Sequence, residues 1–139
     1  MSTRNELQAL ARLRLQEAET LFAAGFYDGC ACLCGYVVEL ALKARICAAL
    51  GIYEYAEKGR LGETFKTHGF EELRVLAGME KELAAANKPL GDNWSLATSW
   101  KPGSRYEPAG TYDQAGATAI LDAIRNKSDG MLECISQRW

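Results

Sequence analysis

The sequence contains only one histidine, only three prolines and almost no net charge. The single histidine, His68, excludes any metal site that needs two imidazole ligands. A net charge of −2 provides no global basic field, so the composition does not imply strong non-specific binding of nucleic acid. Basic residues that bind an anion would therefore have to form a local patch.

Long apolar runs are also missing from the chain. No segment approaches the roughly 18 consecutive apolar residues of a membrane-spanning helix. Residues 1–14 are charged and amphipathic, without the apolar centre of a signal peptide. The glycines fall in neither a P-loop nor a dinucleotide-binding pattern. We therefore expect a cytoplasmic protein without a membrane partner.

Five cysteines are present, and three of them alternate along one segment as Cys30, Cys32 and Cys34. Successive members of such a series point about 200° apart on a helix, so these three cannot share one metal ion. We expect reduced cysteines that act as small core residues, as is usual in the cytosol. Neither a metal ion nor another cofactor is expected.

The segment from Asp28 to Leu50 predicts the central helix of the fold. It contains no proline, and apolar residues occur almost all the way round its helical wheel, which is typical of a buried helix. The polar residues Asp28, Tyr36, Glu39 and Lys43 lie roughly along one side. We expect any ligand to contact this polar stripe.

Glu39 and Lys43 are four residues apart, in the favourable order for an ion pair. One interpretation is a surface salt bridge that contributes little stability. The other is a buried pair that lines a cleft, lies at an interface or meets a further charged partner, because the surrounding helix is largely apolar. The sequence does not decide between them.

The rest of the chain predicts three more helices, which gives an all-α protein and an antiparallel up-and-down four-helix bundle. The first helix begins at a capping box formed by Thr3 and Glu6 and ends near Gly25. The other expected segments are a connection over Ile52–Lys66, a third helix over Gly69–Ala86 whose start Thr67 or His68 would cap, a loop over Asn87–Gly110 and a fourth helix over Tyr112–Ile135. A chain of 139 residues predicts one domain, residues 1–139.

The expected long loop before the last helix is rich in aromatic residues and contains all three prolines. In it Trp100 is followed by Arg105 and Tyr106. An arginine beside aromatic rings can bind a phosphate while the rings stack on a base. Alternatively, the aromatic residues anchor the loop to the body, and Arg105 pairs with Glu39 or Asp28.

His68 precedes the expected third helix. A lone histidine in this position is more typical of a helix cap or a surface residue than of a catalyst. No nucleophile-elbow pattern is present, and no nucleophile–base pair is evident from spacing. We therefore predict no catalytic residue.

Four sequence features, taken in order, resemble the HEPN domain family over about Glu6 to Ile135. They are the GYVVELALKA stretch at residues 35–44, the ETLFAAGFYDGCACLCGYVVE stretch that leads into it at residues 19–39, the KTHGFEEL stretch at residues 66–73, and Trp100 followed by Arg105 and Tyr106. The resemblance implies a helical up-and-down bundle that forms a homodimer. It also implies a prokaryotic role near nucleotides or RNA, because many relatives are partners of minimal nucleotidyltransferases or components of toxin–antitoxin systems.

Other members of that family are metal-independent ribonucleases whose motif is an arginine followed, after four to six residues, by a histidine. No arginine stands at that spacing before His68, since Arg60 is eight positions away. Arg125 is followed by Gly130 and Met131 where a histidine is needed. The nuclease role therefore does not carry over to this chain.

We predict a non-nucleolytic protein that binds a nucleotide, RNA or a partner protein. The binding face is expected to consist of Tyr36, Glu39, Lys43, His68, Arg105 and Tyr106, with Glu39 in contact with Arg105. Two alternatives stay open. One is a divergent metal-independent ribonuclease that combines His68 with Arg105 or Arg125 across a dimer, and the other is an antitoxin-like interaction module without a small ligand.

Overall fold

A computed structural model describes residues 2–139, and the elements of this part of the chain are all helices, as expected. Two long helices come first, α1 (Arg4–Ala23) and α2 (Tyr27–Leu50). The shorter elements that follow are α3 (Gly59–Phe65), α4 (Phe70–Leu76), α5 (Leu90–Ala97), a 3₁₀ helix (Pro102–Tyr106), α6 (Gln114–Arg125) and α7 (Met131–Ser136). No helix within residues 2–139 has the length and apolar character needed to cross a membrane.

Helix α1 begins at the predicted capping box. The Thr3 hydroxyl accepts a hydrogen bond from the Glu6 backbone N–H at 3.2 Å, and the Glu6 carboxylate accepts one from the Thr3 backbone N–H at 2.8 Å. After α1 the chain turns at Gly25, whose φ of +83° is a conformation that only glycine adopts readily. The turn is short, so α2 packs directly along α1.

Helix α2 is the centre of the core, as its sequence predicts. Helices α1, α4, α5, α6 and α7 all pack against it. Because these helices cover α2 on most sides, its apolar residues are found nearly all the way round it. Its fully buried positions include Cys30, Cys34, Val37, Val38, Ala41, Leu42, Ala44, Ile46 and Cys47.

Residues 2–139 contain seven α-helices, whereas the sequence predicts four. The third helix was expected to continue to Ala86, but α4 ends at Leu76 because Gly78 has a φ of +68°. The connection expected over Ile52–Lys66 contains α3. The fourth helix is divided into α6 and α7 by a turn in which the Asn126 side chain accepts hydrogen bonds from the backbone of residues 128 and 129.

The segment expected as a loop, Asn87–Gly110, contains α5 and the 3₁₀ helix. Helix α5 forms because it buries Trp94 and Ala97 against the rest of the protein. Trp100, just after it, is also buried. Trp94 and Trp100 thus hold this segment on the body of the protein, whereas Tyr106, which the anchoring interpretation also included, is exposed.

Candidate functional site

Glu39 lies at the centre of the polar stripe of α2. One of its carboxylate oxygens makes hydrogen bonds with two side chains. Glu39 Oε1 lies 2.8 Å from Lys43 Nζ and 2.7 Å from His68 Nδ1. The Glu39 and Lys43 side chains are only 12% and 13% exposed. The pair is therefore mostly buried and meets a third group, so it is not an ordinary surface salt bridge.

His68 is held by this carboxylate while most of its ring stays open to solvent. Its side chain is 64% exposed. A carboxylate beside Nδ1 favours the tautomer with the proton on Nδ1, which leaves Nε2 facing outward. Because the imidazole is directed towards α2, it does not cap α4, whose N-cap residue Gly69 makes no side-chain cap bond.

Lys43 is held between Glu39 and an aromatic pair. Lys43 Nζ lies 5.2 Å from the centre of the Tyr55 ring, which stacks on Phe65 at 5.2 Å between ring centres. The Tyr55 hydroxyl donates to the Phe65 carbonyl at 2.7 Å, and burial raises the pKa of Tyr55. These contacts attach residues 55–65 to the polar stripe and keep the Lys43 ammonium in place.

The segment that follows α5 packs against Tyr36 and Gly35 of α2. The Tyr36 and Trp100 ring centres are 5.8 Å apart. A Cβ atom at Gly35 would lie 2.8 Å from Trp100 Cε3, so the indole occupies the space that a side chain would need. Gly35 and Glu39 are one helical turn apart, about 6 Å along α2. Trp100 and His68 therefore contact positions of α2 that are one helical turn apart.

Arg105 and Tyr106 do not join this group. Both are exposed on the 3₁₀ helix, and the Arg105 guanidinium stacks on the Tyr106 ring at 5.0 Å. The expected contact between Glu39 and Arg105 is wrong, because Glu39 pairs with Lys43 and His68. Arg105 instead lines a small hollow beside Cys32, near the start of α2.

Asp28 holds the end of the aromatic-rich segment, without help from Arg105. Its carboxylate accepts hydrogen bonds from the backbone N–H groups of Tyr112 at 2.9 Å and Gly110 at 2.7 Å. Both hydrogen bonds lower the pKa of Asp28, and the bond from Tyr112 has the larger effect. Asp28 lies about 16 Å along the helix from Glu39, which explains why the 3₁₀ helix is kept away from the centre of the stripe.

A cleft of about 800 Å³ opens between α4 and α5, and His68 lies at its edge. Its walls combine aromatic and aliphatic side chains with charged and hydroxyl groups. The lining residues are His68, Gly69, Phe70, Glu71, Glu72, Arg74, Leu83, Ala85, Trp94, Ser95, Thr98, Ser99, Lys101 and Pro102.

A fixed polar group lies on the α4 wall of this cleft. Glu71 accepts hydrogen bonds from Trp94 Nε1 at 3.4 Å and from the Arg74 guanidinium. Arg74 also donates to the Leu83 carbonyl at 3.2 Å and lies 5.3 Å from the centre of the Trp94 ring. Sequence reasoning missed this group, and the i, i+3 spacing of Glu71 and Arg74 was the only local signal for it.

The α5 wall offers hydroxyl groups and a lysine. The hydroxyls of Ser95, Thr98 and Ser99 donate to carbonyls of their own segment at 2.7–3.1 Å, which leaves oxygen lone pairs free to accept. Lys101 follows Trp100, is exposed and also lines the cleft. The cleft therefore presents cations, acceptors and an apolar surface together.

The cysteines lie apart from the cleft and form part of the core or its edge. Cys30, Cys34 and Cys47 are fully buried, and a hydrogen bond between Cys30 and Cys34, together with burial, raises the pKa of the Cys34 thiol. Within residues 2–139 no three His, Cys, Asp or Glu side chains are grouped closely enough to hold a metal ion.

Comparison with protein families gives one match. A family model described as HEPN domain matches residues 6–127, a range that includes most of α1, all of α2 to α6 and every residue of the cleft. No curated protein and no solved structure matches the chain.

Proposed function

Because the chain belongs to the HEPN domain family, we propose that it binds a nucleotide, free or within RNA, without cleaving it. The binding site in this proposal is the cleft between α4 and α5 together with His68 on the polar stripe. The single observation that carries the proposal is the position of His68, which a buried carboxylate holds at the edge of a cleft of about 800 Å³.

The size and lining of the cleft fit a nucleotide. Small-molecule sites are commonly about 300–1,000 Å³ and combine an apolar surface with a few convergent polar groups. The Lys101 ammonium would donate to the phosphate, and so would Nε2–H of His68 in its imidazolium form, in which Nδ1–H donates to Glu39. Phe70 and Ala85 offer apolar surface against which a sugar and a base could pack.

The absence of cleavage follows from what His68 lacks. Acid–base cleavage of RNA needs a second group opposite the histidine, which the family's ribonucleases supply with the paired arginine of their motif. Among residues 2–139 no arginine is paired with His68.

The second candidate function is a ribonuclease whose site is completed by an arginine of another subunit. The Glu39 carboxylate that holds the His68 imidazole favours this candidate, because a histidine that acts as a general base is often oriented by a carboxylate.

Calorimetry with nucleoside monophosphates and a short oligoribonucleotide tests the proposal. His68→Gln and Lys101→Gln should each weaken binding about tenfold, because each removes one charge-assisted hydrogen bond to phosphate. Lys58→Gln is the matched control, since Lys58 is also exposed but lies outside the cleft. A wild-type protein that binds no nucleotide would contradict the proposal and would favour the antitoxin-like interaction module.

We also propose, from family membership, the assembly of the protein. Residues 1–139 would form one HEPN-like unit, an up-and-down bundle built on α1, α2 and α6, and two copies would form a homodimer. A small nucleotidyltransferase or a toxin–antitoxin component would be the partner. Light scattering on the purified protein tests the dimer, and the gene next to its own tests the partner.

A further inference from the structure

Glu71 is an exposed acidic residue that lines the cleft. Each of its two carboxylate oxygens accepts one hydrogen bond from a neighbouring side chain. Its side chain is 68% exposed. Trp94 Nε1 donates to Oε1 at 3.4 Å, and the Arg74 guanidinium donates to Oε2. Arg74 is itself held by the Leu83 carbonyl and by the Trp94 ring. The carboxylate is therefore oriented before any ligand arrives.

A carboxylate in this state can accept a second pair of hydrogen bonds. Each carboxylate oxygen has two lone pairs, and one on each oxygen of Glu71 is already used. Glu71 lines the cleft and its side chain is mostly exposed, so the remaining lone pairs are accessible to a ligand bound there. Such an acceptor fits a ligand that carries two neighbouring N–H donors.

The four bases differ in how many neighbouring N–H donors their Watson–Crick edges present. Guanine presents two adjacent donors, N1–H and the 2-amino group. Adenine and cytosine each present one amino donor beside a ring nitrogen that is an acceptor, and its lone pair would face a carboxylate oxygen. Uracil presents a single N–H between two carbonyls. A fixed carboxylate therefore favours guanine over the other three bases.

We infer that the ligand of the cleft is a guanine nucleotide whose base is bound by Glu71, an inference that rests on the proposed function. Lys101 and His68 bind the phosphate at the edge of the cleft. Arg74 and Trp94 are positioning residues, because they act on the base through the Glu71 carboxylate. Glu71 lies in the first turn of α4, immediately beyond the segment that holds His68.

The test compares GMP, IMP and AMP by calorimetry on the full chain. GMP should bind at least about tenfold more tightly than AMP, because a good bidentate pair discriminates against the wrong base by about that factor or more. IMP should lie between them, since hypoxanthine keeps N1–H but lacks the 2-amino group. Glu71→Gln should lower the affinity for GMP towards that for AMP. The matched control is Glu80→Gln, because Glu80 is also exposed but lies outside the cleft.

The outcomes separate this inference from the proposed function. Equal wild-type affinities for GMP and AMP would overturn guanine recognition while nucleotide binding stands. No binding of any of the three would overturn both. A folded Glu71→Gln protein that still prefers GMP would show that another group binds the base. The comparison of the three nucleotides uses the wild-type chain, so it does not depend on whether the variant folds.

Discussion

Glu39 is a mostly buried carboxylate in a helix whose other core positions are apolar. Lys43 neutralises it, and His68 uses the same oxygen. The two contacts have different consequences. The ion pair with Lys43 is buried and contributes to whether α2 can pack, whereas the contact with the exposed His68 mainly sets the direction of an imidazole.

Replacement of Glu39 should therefore reduce the stability of the protein. Glu39→Gln leaves the Lys43 ammonium mostly buried without a counter-charge, and we expect a loss of roughly 3 kcal/mol in the free energy of unfolding. The double variant Glu39→Gln with Lys43→Met should lose much less than the sum of the two single losses. Urea unfolding monitored by circular dichroism measures both.

Arg105→Gln is the control for this cycle. Arg105 is exposed and contacts Tyr106 alone among aromatic rings, so its replacement should change stability by less than about 0.5 kcal/mol. Additive losses for Glu39 and Lys43 would show that the two side chains do not stabilise each other.

Two short segments pack side by side on α2, and the cleft depends on both. Residues 66–70 contact Glu39 through His68, and residues 98–102 pack Trp100 over Gly35. Helices α4 and α5 contain only seven and eight residues, far fewer than a helix needs to be stable alone in water. The walls of the cleft therefore hold their shape because both segments are attached to the central helix.

Gly35→Ala should displace Trp100 and with it this end of the cleft. The added methyl group would lie 2.8 Å from the indole, and overpacking of this kind costs about 1–3 kcal/mol. We expect a lower melting temperature, a shift in tryptophan emission and weaker nucleotide binding, because Lys101 moves with Trp100.

Gly103→Ala is the matched glycine variant in the same region. A Cβ atom at Gly103 would meet nothing within 4 Å, so melting, emission and binding should stay close to wild type. If both alanine variants behaved alike, Trp100 would not depend on the missing side chain at Gly35.

At the scale of the whole molecule, the main question is whether a HEPN-family chain with one histidine acts on RNA. We expect no cleavage of single-stranded RNA by the purified protein in the presence of EDTA, because His68 has no arginine paired with it within residues 2–139. Gel analysis of end-labelled RNA, with His68→Ala as the reference, checks this. Cleavage by the wild type that disappears in His68→Ala would instead support the ribonuclease that a second subunit completes.

The sequence by itself determined the features that depend on local patterns. The capping box at Thr3 and Glu6, the long buried helix α2, the all-helical class and the family resemblance were all predicted from residues close together in the chain. Periodicity and capping chemistry act over one to a few helical turns, so a single segment contains the whole signal. The ion pair of Glu39 with Lys43 belongs to this group, since the two residues are one turn apart.

Only the tertiary structure decided how distant segments meet. Glu39 contacts His68, 29 positions away, whereas the other candidate, Arg105, lies near the start of α2, where Asp28 binds the backbone of Gly110 and Tyr112. Helix α5 forms where the chain carries prolines and glycines, because burial of Trp94 outweighs a weak local preference. The group of Glu71, Arg74 and Trp94 exists only once that helix packs against α4, since contacts between segments depend on the path of the chain and not on local spacing.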